Sequence, residues 1–142
     1  MTDLSFPKKE KLCGQVAVEK LFADGKATIK YPLRLIYTTS ERKADVPLCR
    51  LMVSVSKRRF KHAVDRNRVK RLVREAYRLN KHVLLSALQC KEFEGLTLSM
   101  AYVFIGDKLP TYQTIEKSVL VTFAKLTEAL GLATDSEPQN IG

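Results

Sequence analysis

Basic side chains are the residues of this sequence best suited to a chemical task, and they are concentrated in one segment. Eleven lysines and arginines and two acidic residues lie between Lys57 and Lys81, so these 25 residues carry +9 of the net charge of +10. Guanidinium groups suit phosphate oxygens, because two N–H donors can meet two oxygens at once. A charge that served only solubility would be spread over the surface, so this concentration predicts a binding site for a polyanion.

The sequence offers little for catalysis by the protein itself. It contains no G-x-S-x-G, P-loop or H-E-x-x-H motif. We find no set of carboxylates that would hold two Mg²⁺ ions about 4 Å apart, as a two-metal nuclease requires. The 2 histidines and 3 cysteines lack the spacing of a zinc site. We therefore predict no catalytic residue and no metal ligand.

The basic segment has the periodicity of an amphipathic helix from about residue 63 to residue 80. Its apolar residues recur at spacings of three and four and predict the buried stripe: Val69, Leu72, Val73, Ala76 and Leu79. A second stripe consists of Asn67, Arg71, Arg74 and Arg78, flanked by Arg66 and Lys70. Since this stripe has few acidic residues for i,i+4 pairing, it is predicted to bind phosphates rather than to be an ordinary solvated face.

The other elements that position this helix follow from the same patterns. We predict helices at about 14–23 and 112–130, strands at 31–39, 49–56 and 97–106, and a polar hairpin loop at 40–48. In the strand 49–56, Leu51, Val53 and Val55 are expected to face the core, and Met52, Ser54 and Ser56 the opposite side. The order helix, two or three strands, helix, strand, helix predicts one α+β domain, residues 1–130, followed by a disordered tail, 131–142.

No apolar run approaches the roughly 20 residues that a bilayer span needs. The first residues, MTDLSFPKKEKL, lack the apolar core of a signal peptide. We therefore expect a cytoplasmic protein without a membrane partner.

The segment VSVSKRRFKHAVDRNRVKRLVREAYR, Val53–Arg78, resembles the protein component of bacterial ribonuclease P. It has that family's strand ending in VSK, a short turn, and then an RNRxKRxxRE helix. LSFPKKEKL, VEKLFADGK and PTYQTIEKSVLVTFAKL resemble the family's N-terminal entry, first helix and last helix, so the likeness covers about residues 4–130.

This resemblance implies both a fold and a function. The fold is an α-β sandwich, similar to a domain of a small-subunit ribosomal protein, with a left-handed β-α-β crossover that opposes the general rule of handedness. The function is that of a non-catalytic subunit of an endoribonuclease. The protein would bind the catalytic RNA and the 5′ leader of precursor tRNA and would need no protein partner. Mg²⁺, bound mainly by the RNA, would support hydrolysis that produces the mature 5′ end.

The resemblance also assigns residues to two surfaces. The residues expected to bind the catalytic RNA are Arg66, Asn67, Arg68, Lys70, Arg71, Arg74 and Arg78. The leader is expected in a cleft between the first helix and the sheet, lined by Val18, Phe22, Tyr37, Met52, Ser54 and Lys57. Unpaired bases can stack there on aromatic rings, at about 1–3 kcal/mol each.

Three other classes of protein share some of these sequence features. A ribosomal or other structural RNA-binding protein could use the same fold and basic helix without a leader cleft. A helix-turn-helix DNA-binding protein is disfavoured, because a strand rather than a helix precedes the basic helix. A membrane-surface helix is disfavoured because its apolar stripe lacks Trp and Phe anchors.

Overall fold

The computed structural model describes residues 15–43 and 46–131, and the side chains of the first helix from Val18 onward. The N-terminal part of the resemblance and the predicted tail, apart from Gly131, lie outside the described residues. The domain boundary at residue 130 therefore stays a prediction.

The described residues form three α-helices, four strands and a short 3-10 helix at Lys91–Phe93. In chain order the main elements are α1 (Gln15–Asp24), β1 (Lys26–Lys30), β2 (Leu33–Glu41), β3 (Cys49–Ser54), α2 (Ala63–Leu88), β4 (Leu96–Phe104) and α3 (Tyr112–Ala129). The basic helix is α2, and it continues two turns past residue 80 through the segment KHVLLSAL, an extension that the sequence also allows. None of the described helices combines the length and the apolar composition that a membrane span needs.

The four strands form one sheet in the order β1-β2-β4-β3. β1 and β2 form an antiparallel hairpin, β2 pairs antiparallel with β4, and β3 pairs parallel with β4. Because β3 and β4 are parallel and α2 joins them, the β-α-β crossover is confirmed, while its handedness stays a prediction. The predicted hairpin loop at 40–48 is wrong: β4 lies between β2 and β3, so this segment connects strands that are not neighbours.

The main core lies between one face of the sheet and the helices α2 and α3. Leu51, Val53 and Val55 point into this core, as their alternation predicts. Helix α1 lies on the opposite face, where Leu21 is fully buried against Ile36 and Ala101. One face of the sheet is therefore covered by α2 and α3, and α1 packs on the other face.

Helix α3 is fixed at its ends and along its length. Thr111 caps the N-terminus by accepting a 3.2 Å hydrogen bond from the Thr114 amide, and Gly131, at φ 72°, follows the C-terminus as predicted. In the core, the Phe123 ring meets Tyr77 of α2 edge-on at 6.2 Å between centroids. These contacts hold α2 and α3 side by side on the sheet.

Candidate nucleic-acid interface

The two stripes of α2 lie close to where the sequence places them, although Leu72 and Leu79 of the predicted buried stripe are only partly buried. Val69, Val73 and Ala76 are fully buried against the sheet. Of the polar residues expected to bind RNA, four are exposed: Asn67, Arg68, Arg71 and Arg74. The other three are partly buried: Arg66, Lys70 and Arg78. The buried stripe thus anchors α2 and leaves successive turns of polar side chains on the outside.

Part of this surface is concave. Its lining consists of Asn67, Arg71, Arg74, Glu75 and Arg78. Three guanidinium groups and one amide around a single depression provide many N–H donors for phosphate oxygens or a base edge. A single carboxylate opposes them.

The carboxylate of Glu75 is paired with Arg78. Arg78 donates from Nη2 to Oε2 at 2.7 Å and from Nε to Oε1 at 3.1 Å. This hydrogen bond holds the pKa of Glu75 below its ordinary value, so the carboxyl is ionised at neutral pH. Since both side chains are partly exposed, the pair adds little to stability. Arg78 therefore reaches the concave surface already engaged by an acid.

Arg66, the first residue of the RNR motif, donates two hydrogen bonds to the protein from a single guanidinium nitrogen. Its Nη1 atom donates to the carbonyl oxygens of Phe60 and Lys61 at 2.8 and 2.9 Å. These carbonyls belong to the loop that connects β3 to α2. The sequence pattern places Arg66 beside the stripe that is predicted to bind RNA, but it gives no sign of this contact.

The predicted leader cleft corresponds to the face of the sheet on which α1 lies. Phe22 is 45% exposed, so it is not a core residue, and Val18 is partly buried one turn before it. Met52 and Ser54 of β3 are partly buried on this face, and Met52 packs against the Leu21 cluster. Lys57 is exposed in the turn that follows β3. These five residues are compatible with a surface between α1 and the sheet.

Tyr37 is wrongly placed by the sequence reasoning. It is only 5% exposed and belongs to the core on the opposite side of the sheet, with α2 and α3. The alternation of β2 explains this: Tyr37 shares a face with Leu33 and Leu35, whereas Ile36 faces α1. A shift of one residue in strand register reverses the face of every side chain, and Tyr37 is removed from the cleft.

Two arginines on the α1 side were not predicted. Arg34 of β2 is exposed, and Arg50 of β3 lies beside Ser99 of β4 in the sheet register. The Nε of Arg50 is buried and has no hydrogen-bond partner among the described residues. The strand periodicity could have predicted the position of Arg50, since Arg50, Met52 and Ser54 are two residues apart and therefore share one face of β3.

On its other flank, α2 is joined to α3 by a polar contact. Asn80 donates to the Ala76 carbonyl at 2.9 Å and to Glu116 Oε2 at 3.0 Å, and Tyr112 donates to the same Glu116 oxygen at 3.2 Å. Burial and the neighbouring Glu116 raise the pKa of Tyr112.

Within the described ranges, no three His, Cys, Asp or Glu side chains lie close enough together to hold a metal ion.

Comparison with known proteins identifies the family. The family Ribonuclease P matches residues 6–126 of this chain. The ribonuclease P protein component of Porphyromonas gingivalis is 43% identical over 113 residues, which are 79% of each chain. That of Chlorobaculum tepidum is 35% identical over 121 residues, covering 81% of this chain and 78% of the relative.

Solved structures agree on the fold. The RNase P protein of Staphylococcus aureus matches with a TM-score of 0.61 at 19% identity, over 85% of this chain and 97% of that one. The RNase P protein of Thermotoga maritima matches with a TM-score of 0.60 at 21% identity, over 82% and 96%.

The family match and the close relatives decide against a ribosomal protein that merely shares the fold. The exposed basic face of α2 agrees with partnership with an RNA. This chain belongs to the ribonuclease P protein family and is the protein subunit of that tRNA-processing ribonucleoprotein endonuclease.

Proposed function

We propose that the exposed face of α2 binds the catalytic RNA and that the α1 face of the sheet binds the 5′ leader of precursor tRNA. The single observation that supports this most directly is the row of exposed Asn67, Arg71 and Arg74 on a helix whose opposite stripe is buried. Such a row can contact phosphates at successive turns without reading base sequence.

The α1 face suits a single strand better than a duplex. It offers an exposed ring, Phe22, and a thioether, Met52, for contact with unpaired bases. It also offers Arg34, Lys57 and Arg50, whose buried Nε would gain an acceptor if a phosphate oxygen lay beside it. These features support the leader as the ligand of this face.

In this proposal the protein supplies binding and the RNA supplies the chemistry. Mg²⁺ would be bound mainly by the RNA and would activate the water that hydrolyses the phosphodiester bond. The residues of this chain would position the two RNAs relative to each other, without a protein partner, in the cytoplasm. Neutralising phosphates near the junction would lower the Mg²⁺ concentration that the complex needs.

Reconstitution with the catalytic RNA of the same organism tests this function. Together the two components should remove the 5′ leader at a Mg²⁺ concentration where the RNA alone is slow, and the protein alone should not cut. Leader removal by the protein without RNA would contradict the proposal.

A variant of the basic face localises the binding. Arg71→Ala should weaken binding of the catalytic RNA and reduce the slope of log K against log salt by about one unit. Lys117→Ala, which removes an exposed lysine of α3, is the matched control and should change neither quantity. If both variants gave the same slope as the wild type, Arg71 would not contact phosphate.

A further inference from the structure

Residues 57–62, which form most of the loop between β3 and α2, are attached to the protein at several points. Arg66 Nη1 donates to two of its carbonyl oxygens, those of Phe60 and Lys61. Both hydrogens of this nitrogen are used by these bonds, and bonds from a charged donor are stronger than neutral ones. Arg66 lies in the first turn of α2, so the bonds tie the loop to the start of the helix.

Two further contacts join the same loop to the end of β4. The Phe60 ring packs against Phe104 at 5.7 Å between centroids. Arg59 Nη1 lies 3.1 Å from Oδ1 of Asp107, three residues after β4. Within the loop itself, the Arg59 amide donates to the Ser56 carbonyl at 3.1 Å. The ring and one guanidinium of the loop are thus turned toward the protein.

The remaining basic side chains of the loop are turned outward. Lys57, Arg58 and Lys61 are exposed, and they lie just before the N-terminus of α2. The helix dipole adds partial positive charge at that end. A loop fixed in this way presents Arg58 and Lys61 just before the N-terminus of α2, whose first two turns carry the exposed Asn67 and Arg68.

We infer that Arg66 is a positioning residue, which fixes the loop 57–62 so that Arg58 and Lys61 can bind the catalytic RNA. This inference rests on the proposed function of α2. It changes the role expected of Arg66, because the Nη1 of the guanidinium that the resemblance assigns to RNA binding is bonded to two backbone carbonyls. Arg68, two residues later in the same motif, is exposed and keeps the role of an RNA ligand.

A double-mutant cycle distinguishes positioning from direct contact. The affinity for the catalytic RNA is measured for Arg66→Ala and Arg68→Ala, each in the wild-type loop and in a loop carrying Arg58→Ala and Lys61→Ala. Arg66→Ala should weaken binding roughly tenfold with the wild-type loop but less than about twofold with the neutralised loop, because its effect passes through that loop. Arg68→Ala should weaken binding by the same factor in both.

A second measurement uses the free protein. Arg66→Ala should speed hydrogen exchange of the Arg59 amide, which is bonded to Ser56, whereas Arg68→Ala should leave it unchanged. If Arg66→Ala fails to fold, Arg66→Gln replaces it, since its amide keeps a donor but has no charge. If Arg66 acts by positioning the loop, Arg66→Gln should retain more affinity for the RNA than Arg68→Ala, which removes the charge of a direct RNA ligand.

The outcomes separate the inference from the function on which it rests. An equal loss from Arg66→Ala in both loops, with unchanged exchange at Arg59, would overturn the positioning role while leaving RNA binding by α2 intact. A wild-type protein that did not bind the catalytic RNA, or bound it equally well without Arg71, would overturn the proposed function itself.

Discussion

Glu75 determines how Arg78 is presented to a ligand. Its carboxylate accepts hydrogen bonds from Nε and Nη2 of Arg78 and lies in the concave surface with Arg71 and Arg74. A phosphate that approached Arg78 would compete with this carboxylate for the guanidinium and would also be repelled by it. The pair is partly exposed and weak, so displacement requires little energy.

We therefore expect Glu75→Gln to tighten RNA binding. Removing one negative charge from the surface and weakening the contact with Arg78 should raise the affinity about threefold, in the range of a weak ion pair. The measurement is a titration with the catalytic RNA at fixed salt. Glu128→Gln, which removes an exposed carboxylate of α3, is the control and should have a much smaller effect. Weaker binding by Glu75→Gln would indicate that the carboxylate orders Arg78 for the RNA.

The pH dependence of this pair has a defined sign. Because the Arg78 hydrogen bond lowers the pKa of Glu75 in the folded protein, the pair contributes stability above the ordinary pKa of 4.5. This contribution is lost as the pH falls through the lowered pKa. Near neutral pH the pair is therefore fully formed and gives no pH dependence to RNA binding.

Single residues show what a sequence can and cannot indicate. The exposure of Arg71 and the burial of Val73 follow from helical periodicity, which needs only the spacing of residues. The bonds of Arg66 could not be predicted, because they depend on the path of a loop backbone. Tyr37 was misplaced because the register of β2 depends on its pairing with β4.

Among the elements, α1 carries the most exposed aromatic residue of the proposed leader face. Leu21 anchors the helix, and Gly25 ends it where a Cβ atom would lie 2.7 Å from the Ile36 Cγ2. This close approach fixes α1 over β2 and leaves Phe22, adjacent to Leu21, 45% exposed.

Phe22→Ala should therefore affect ligand binding more than stability. In the assembled enzyme it should weaken binding of precursor tRNA by roughly tenfold, within the range of one lost stacking contact, and leave mature tRNA unchanged. Leu120→Ala removes an exposed apolar side chain from α3, on the other side of the sheet, and should affect neither. Equal losses for precursor and mature tRNA would show that Phe22 does not contact the leader.

The attachment of α3 to the sheet depends on a buried hydroxyl pair. Tyr102 of β4 and Thr122 of α3 lie 2.6 Å apart, and Thr122 also bonds helix carbonyls, so Tyr102 is the donor. Burial raises the pKa of Tyr102 and keeps it protonated.

Tyr102→Phe should lower the free energy of unfolding by about 1 kcal/mol and Tm by about 3 °C. Tyr31→Phe, at a tyrosine 61% exposed, is the control in thermal unfolding and should leave Tm unchanged.

The elements themselves were mostly predictable, and their arrangement was not. The helices α1, α2 and α3 follow from periodicity, and glycines mark the ends of α1 and α3. The insertion of β4 between β2 and β3 involves residues 49 to 71 positions apart, and no local pattern encodes such pairing. The family resemblance, rather than periodicity, supplied the crossover.

For the whole molecule, the question is whether RNA binding depends on the total charge or on its position. The segment 57–81 carries +9 of +10, and the structure places much of that charge on one face of α2 and the loop before it. Counterion release depends on how many phosphates the protein contacts, and only cations arranged along the RNA can contribute.

A charge-balanced variant separates the two possibilities. Combining Arg71→Ala and Arg74→Ala with Glu128→Lys keeps the net charge at +10 but moves two units of charge from α2 to α3. If position governs binding, this variant should lose affinity and about two units of salt slope, as the uncompensated double variant does. If total charge governs binding, Glu128→Lys should restore both quantities. Because the folded core is untouched by all three substitutions, equal Tm values for the variants would confirm that the comparison concerns binding alone.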